Sequence, residues 1–504
     1  METKTISIIG INDFHAEIFE TDYTLGCAKL CALVEQEKRV NPHTMVVFGG
    51  DNFNGDPVSE ELAGEPVIEL MMRLGAKVSA VGNHEFEYGV EKLLDWSRQG
   101  EFTFAAANVV DRKTGEIAAG FQPYVMEEIA GIKIAFIGLS ASEQLDRPGL
   151  SIHTRALAIV DGAREARKWV DYLNRGLDPK GRPDAILALT HYGLKYTADR
   201  SALTGEEAIE LCTQVPELSG LFTAHWHQFI RSEVRQVPVV QGGSNSRGFA
   251  KLTIEFSPGK EVLRVTPDYL DASGFVSQIP PNEEMQCKLN EYKQRTRDKL
   301  GVVLGRLEDE VVHKSPLTAE VDMEGTPLTK LVTDVMRAAT DSDIALLYSG
   351  RMGQGLPSGA VTVYQVRKLF YFNDELITLR LKGSDLIRNI ENGISTLRVE
   401  RASPLAVSGL RIVADYAKPH GARIESIVLE NGQSIDPDRY YKIVIDEWLA
   451  SDEMGYEFSS GIERRHTGVF LRDRLIQEIS DRKVLKAESP TSIKVKNKQG
   501  DGHA

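Results

Sequence analysis

Five short stretches of the 504-residue chain place Asp, His and Asn side chains where apolar, strand-like runs end. They read Asn12-Asp13-Phe14-His15, Gly49-Gly50-Asp51-Asn52, Gly82-Asn83-His84-Glu85 (with Glu87 just beyond), Thr190-His191-Tyr192-Gly193 and Ala224-His225-Trp226-His227. Asp13 and His15 fall on one face of an extended segment. Carboxylate, imidazole and amide ligands without cysteine suit hard or borderline divalent ions: Mn²⁺, Zn²⁺, Co²⁺ or Mg²⁺. The count suits two ions. Asp13, His15, Asp51 and His227 would hold one, and Asp51, Asn83, His191 and His225 the other, with Asp51 shared. Two ions about 3.5–4 Å apart can activate a water and hold the phosphoryl oxygens of an in-line displacement. Any one stretch alone reads as an ordinary polar turn. Five in succession, each at a strand end and most beside a glycine that lets the backbone turn sharply, point to metal-assisted hydrolysis.

The elements that must carry these residues alternate. Thr5–Ile11, Thr44–Phe48, Lys77–Val81, Ile132–Gly138, Ala185–Thr190, Leu221–Thr223 and Val237–Gln241 read as short buried strands. Leu25–Lys38 and Ala63–Leu74 carry helical patterns between them. Strands alternating with helices indicate a layered α/β domain with its active loops at strand ends. Composition shifts at Pro280-Pro281, and a charged helical stretch from Asn282 to Gly301 follows. The expected organisation is a catalytic domain over 1–275, a connecting helix over 276–304 and a second α/β domain over 305–504. A chain of this length is too long for a single core.

The net charge of −14 argues against a nucleic-acid partner, which calls for a basic footprint. It does not exclude an anionic small substrate, because bound metal inverts the local field. No apolar run approaches the roughly 20 residues that span a bilayer, so no membrane partner is expected. Thr5–Ile9 reads as a strand rather than a signal peptide. The expectation is a cytoplasmic protein, or a periplasmic or extracellular one seen in processed form. Of the four cysteines, Cys27 and Cys31 lie four apart in a helical pattern and read as small buried thiols rather than a metal pair. Nothing in the sequence bears on oligomeric state.

The order Asp-x-His, Gly-Asp, Gly-Asn-His-Glu-Phe, His, His-x-His resembles that of the calcineurin-like metallophosphoesterases. The Gly-Asn-His-Glu-Phe spelling and a second domain of this size narrow the resemblance to the 5′-nucleotidase/UDP-sugar hydrolase family, across nearly the whole chain. The resemblance implies a four-layer α/β/β/α metal domain joined by a helix to a C-terminal substrate-binding domain. It implies that His84 stabilises the transferring phosphoryl group. The family pairs that histidine with an aspartate three residues on, where this chain has Glu87, a longer carboxylate that can still orient an imidazole. Ala224 replaces the glycine of the family's Gly-His-x-His.

In the second domain the resemblance implies a nucleoside held between two aromatic rings and a phosphate held by arginine. Phe372, in Leu369–Leu376, takes the place of the first ring, and Tyr456, in Trp448–Tyr456, that of the second. The family's Asn-x-Gly-Gly-x-Arg turn is altered. Tyr348 and Gly353 occupy its Asn and Arg positions, and Arg351 is the nearby arginine that could reach phosphate. The expected activity is release of phosphate from nucleoside monophosphates. The alternatives are the same chemistry on a sugar phosphate, a nucleotide sugar or a cyclic nucleotide, or a nucleoside-binding protein with weak turnover.

Overall fold

The apolar run Lys4–Ile11 becomes a strand in the middle of a six-stranded sheet in the computed structural model. The structure describes residues 3–142, 154–197, 199–311, 313, 324–353, 355–370, 373–395, 405–452, 455–486 and 488–497. Across that sheet the order is Val262–Asp271, Gly248–Phe256, Lys4–Ile11, Thr44–Phe48, Val78–Ala80 and Thr103–Ala105. The last four strands run parallel, so their carboxyl ends share one edge. A second six-stranded sheet runs Phe229–Val234, Val237–Gly242, Gly220–Ala224, Ala185–Gly193, Ile132–Leu139 and Tyr124–Ile129. Its four inner strands are likewise parallel.

The two sheets face each other. Ile6, Ile8 and Val47 of the first share one buried core with Ile134, Phe136, Leu187 and Leu189 of the second. Parallel neighbours need crossover connections, and with one face taken by the other sheet the helices must cover the outer faces. Gly26–Val40, Glu65–Leu74 and Val90–Gly100 are the crossovers of the first sheet. Gly162–Asn174 and Glu206–Gln214 bury Ala166, Val170, Leu173 and Leu211 against the second. This is the four-layer α/β/β/α arrangement. Cys27, Cys31 and Cys212 are buried free thiols, and Cys287 is an exposed one.

The chain divides into two units, Met1–Thr296 and Arg297–Ala504, and the division falls within the helix Glu283–Leu300. The second unit is built on a five-stranded sheet ordered Leu405–Ser408, Ile344–Tyr348, Tyr440–Asp446, Glu375–Lys382 and Ile462–Phe470. Strand alternation feeds a core on each face. Ile344, Leu346 and Tyr348 join Leu379, Ile443 and Tyr456 on one side. Ala345 and Leu347 meet Val335 and Met336 of the helix Pro327–Thr340 on the other. That helix starts at Thr326 with a capping box formed with Thr329, satisfying backbone donors that would otherwise be orphaned.

Candidate metal centre

The carboxyl ends of five strands in the first unit converge. Asp13 and His15 follow Lys4–Ile11, Asp51 follows Thr44–Phe48, and Asn83 follows Val78–Ala80. His191 lies in Ala185–Gly193, and His225 and His227 follow Gly220–Ala224. Five of these seven residues leave the strands in the left-handed region: Asp13 (φ 49°), His15 (48°), Asp51 (55°), His225 (66°) and His227 (56°). Side chains other than glycine rarely adopt it, and such strain, on the order of 1–3 kcal/mol per residue, clusters at functional sites. Gly82 is required for the same turn: a Cβ there would stand 2.1 Å from Oδ1 of Asp51.

Asp13, Asp51, Asn83 and His191 are almost wholly buried. His191 Nε2 lies 3.0 Å from Oδ2 of Asp51 and 3.7 Å from Oδ1 of Asp13. His227 Nε2 lies 3.5 Å from Asp13 Oδ1, and the Nε2 atoms of His15 and His227 approach to 3.1 Å. Asp13, His15 and His227 form one group able to hold a cation, Asp51, His191 and His225 a second, and His15, Asp51 and His84 a third. Asn83 Oδ1 is buried with no hydrogen-bond donor among the described residues. A buried carbonyl oxygen left in that state fits a cation, and the O/N donor set of the converging residues fits a hard or borderline divalent one.

The electrostatics follow from packing. Burial pulls His191 down, but the charge and hydrogen bond of Asp51, with Asp13 behind it, lift it to about 10. Burial and the neighbouring His227 push His15 down to about 3. Burial raises Asp13 and Asp51, but adjacent imidazoles outweigh it and hold Asp13 at about 2 and Asp51 well below the usual range. His191 Nδ1 lies 2.7 Å from the Gly49 carbonyl, which can only accept, so Nδ1 carries a proton and Nε2 is directed at the carboxylates.

Other residues orient this set. His225 N–H donates to both oxygens of Asp13 at 3.0 Å, and Asn12 Nδ2 donates to Asp13 Oδ2 at 2.7 Å. Glu85 accepts from the backbone N–H groups of Asp51 and Gly82 through Oε2, both at 2.7 Å, and of Asn52 through Oε1 at 2.6 Å. It therefore clamps two strand ends together. Burial and the Asp51 charge raise its carboxyl to about 7.

His84 stands at the edge of the group. Its backbone N–H donates to Asp51 Oδ1 at 2.9 Å, its Nδ1 lies 2.6 Å from Glu87 Oε1, and its Nε2 is 4.0 Å from Asp51 Oδ2. The second oxygen of Glu87 accepts a hydrogen bond from Asn54 Nδ2. Sequence reading missed Asn54 and the clamping role of Glu85, since neither lies in a periodic pattern that marks it. The buried amide pins the longer Glu87 carboxylate. Asn54→Ala should lower kcat on the order of tenfold, the worth of one charge-assisted hydrogen bond, with bound metal unchanged. Steady-state kinetics and elemental analysis on the same preparation check it.

The second unit differs from expectation. Phe372 lies outside the described residues. Tyr456 is 1% exposed; it sits in the core edge-on to Tyr348, their centroids 6.3 Å apart, so its faces are taken up by packing. The aromatic surface of that segment is instead the partly buried Trp448, stacked on Tyr348 at 4.7 Å. Arg351 is neither solvated nor set toward open solvent. Nε donates to Asp374 at 3.2 Å, Nη2 forms an ion pair with the same carboxylate, and the guanidinium lies 5.7 Å from the Trp448 centroid.

A two-sheet α/β domain with a buried Asp/His/Asn cluster at its strand ends defines a metal-dependent phosphoesterase architecture. Residues 6–229 match the calcineurin-like phosphoesterases, and residues 303–460 match the 5′-nucleotidase C-terminal domain. The chain thus pairs a calcineurin-like phosphoesterase domain with a 5′-nucleotidase C-terminal domain. It is 27% identical to the endonuclease YhcR of Bacillus subtilis over 89% of its length, but spans only 37% of that protein. It is 23% identical to the cell wall protein Lmo0130 of Listeria monocytogenes over 90% of its length, spanning 64% of that protein. The structure of a 5′-nucleotidase precursor from Thermus thermophilus has the same fold, with a TM-score of 0.76 at 22% identity, covering 98% of this chain and 100% of that one. Among the described residues, no helix is long and apolar enough to cross a membrane.

Proposed function

We propose that the chain is a dinuclear-metal phosphoesterase that releases phosphate from nucleoside 5′-monophosphates. The observation that carries this reading is the convergence of five strand ends on one buried cluster with His84 at its edge. Asp13, His15, Asp51 and His227 would hold one ion, and Asp51, Asn83, His191 and His225 the other, from among Mn²⁺, Zn²⁺, Co²⁺ and Mg²⁺. When bound, such ions supply Lewis-acid polarisation of a phosphoryl group and acidify a water. The chain's own residues do the rest. The Glu87 carboxylate can only accept, so His84 Nδ1 donates to it, which turns Nε2 toward the cluster. In the imidazolium form, which the Glu87 carboxylate favours, Nε2 carries a proton as well, and that N–H can meet the charge that grows on a phosphoryl oxygen.

For the leaving nucleoside, Trp448 replaces Tyr456 in this reading, because it is the ring of that segment with exposed surface. Arg351 reaches a phosphate only by exchanging Asp374 for it. The helix around residues 276–304 serves as the connection between the two domains. A site of action outside the cytoplasm is supported by the likeness to a cell wall protein, and fractionation of the source cells tests it.

The endonuclease relative favours a second reading, hydrolysis of nucleic-acid phosphodiesters. The net charge of −14 stands against it. One experiment separates the readings: phosphate and product release from metal-stripped protein with each ion restored in turn. The panel holds 5′-, 3′- and cyclic nucleotides, nucleotide sugars, sugar phosphates and a short oligonucleotide. The expected result is that 5′-monophosphates lead by about tenfold in kcat/KM, or about 1.4 kcal/mol. An oligonucleotide or sugar phosphate in first place overturns the substrate assignment. No release with any ion overturns the hydrolase itself.

A further inference from the structure

We propose that Gln241, itself no candidate ligand, positions the turn that carries His225 and His227 and so sets the affinity of both metal ions at once. This inference rests on the dinuclear reading above.

Strand alternation buries Gln241 on an apolar face. Val237 and Val239 pack in the core beneath the outer helices and Val240 in the inter-sheet core, so Gln241 falls on the side of the first two. It is wholly buried. Packing alone calls for an aliphatic side chain there, whereas a buried amide must find hydrogen-bond partners. Its Nε2 donates to the Ala224 carbonyl at 3.0 Å, and its Oε1 accepts from the Thr223 hydroxyl at 3.2 Å.

The Ala224 carbonyl stands where the sheet's ladder gives out. Gly220–Ala224 and Val237–Gly242 are registered at Leu221 with Val239 and at Phe222 with Val240. Beyond Phe222 the pairing with Ala185–Gly193 shifts register, and the chain enters the turn with its two left-handed histidines, His225 and His227. Such backbone persists where surrounding contacts over-determine it. Here the end of Val237–Gly242 brackets the turn on both sides. The Gln241 amide holds Ala224, the residue before His225. The Gly243 N–H donates at 2.8 Å to the carbonyl of Gln228, the residue after His227. Within the turn, the Trp226 N–H donates to the Ala224 carbonyl at 2.7 Å, and Gln228 Nε2 to the Trp226 carbonyl at 2.6 Å. Of the two brackets, only the one at Ala224 depends on a side chain.

His225 belongs to the group with Asp51 and His191, and His227 to the group with Asp13 and His15. A turn that relaxes at its root therefore moves one imidazole of each group. A residue that orients a single ligand would disturb one ion and spare the other.

Gln241→Met keeps the length of the side chain and close to its volume and removes both hydrogen bonds. Calorimetric titration of the metal-stripped full chain with Mn²⁺ should show both ions bound about tenfold more weakly than in the native chain, the scale for groups that orient a metal ligand. The visible ligand-field absorption of the Co²⁺-loaded chain should change with the imidazole geometry. A role in stability alone would lower the melting temperature of the metal-free chain and leave both of these readouts as they are. Affinities within threefold of native for both ions, or weakening of one ion only, overturn the assignment. If Gln241→Met does not fold, Thr223→Val, which removes the hydroxyl that fixes the amide oxygen, decides by the same threefold criterion. A native chain that takes up fewer than two ions defeats the dinuclear reading and this assignment together. Native uptake of two ions that Gln241→Met leaves unchanged defeats the assignment alone.

Discussion

His84→Ala is expected to lower kcat on the order of 10³-fold, about 4 kcal/mol, while the protein keeps its metal. The imidazole lies at the edge of the cluster, 4.0 Å from the nearest Asp51 oxygen. Asp51 is held from the other side, by His191 at 3.0 Å and by the His84 backbone N–H, which alanine retains. Deleting the ring therefore removes a donor aimed at the developing phosphoryl charge without removing the groups that retain Asp51. Loss of one such donor typically costs two to three orders of magnitude or more. KM should change little, because the interaction strengthens only as charge develops. Glu87→Gln is the milder companion, since an amide oxygen still accepts from Nδ1 but no longer favours the imidazolium. Native turnover in His84→Ala, or loss of metal with activity, would remove His84 from the proposed role.

The strands that carry the cluster were legible because each is short, apolar and bounded by glycine or polar residues. The pattern expected at Thr44–Phe48 is the observed strand, and that expected at Thr5–Ile11 extends by one residue to Lys4–Ile11. The cluster residues were legible because the chemistry concentrates one residue class at strand ends, a signal independent of how the strands pair. What stayed hidden depends on tertiary contact. Asn54 and Glu87 meet across 33 residues, and Glu85 gathers three backbone donors from two strand ends. None of these contacts leaves a periodic trace. The aromatic reading of the second unit went astray at Tyr456 for a related reason. Trp448 and Tyr456 lie in one segment, and only packing decides which ring keeps exposed surface. Arg351 could not be placed either, because Asp374 is 23 residues away and the altered turn has no fixed register.

Asp51→Asn should show the opposite pattern to His84→Ala, with the metal lost first and activity lost as a consequence. Asp51 is the one carboxylate in two of the three cation-holding groups. Its backbone is left-handed at φ 55°, and asparagine is among the few side chains that tolerate this region. The exchange should therefore spare the fold and isolate the charge. The new amide has one oxygen where the carboxylate had two, and its NH₂ must face either the His84 N–H or the ligand side. Outer-shell partners of metal ligands are worth about 10–100-fold in affinity, so a shared direct ligand should cost at least ~100-fold. Metal content should fall from about two ions per chain to below one, with kcat/KM following. The protonation of His191 sharpens the argument. In the metal-free protein Asp51 is the principal influence holding that imidazole up at about 10 against burial. Without that charge the strongest pull keeping His191 protonated is gone, which favours the neutral ligand that a cation prefers, so a metal deficit in this variant points to the lost carboxylate rather than to the histidine. Elemental analysis with a circular dichroism melt of the metal-free variant decides the matter. A variant that stays folded and retains both ions would show that Asp51 is not the shared ligand.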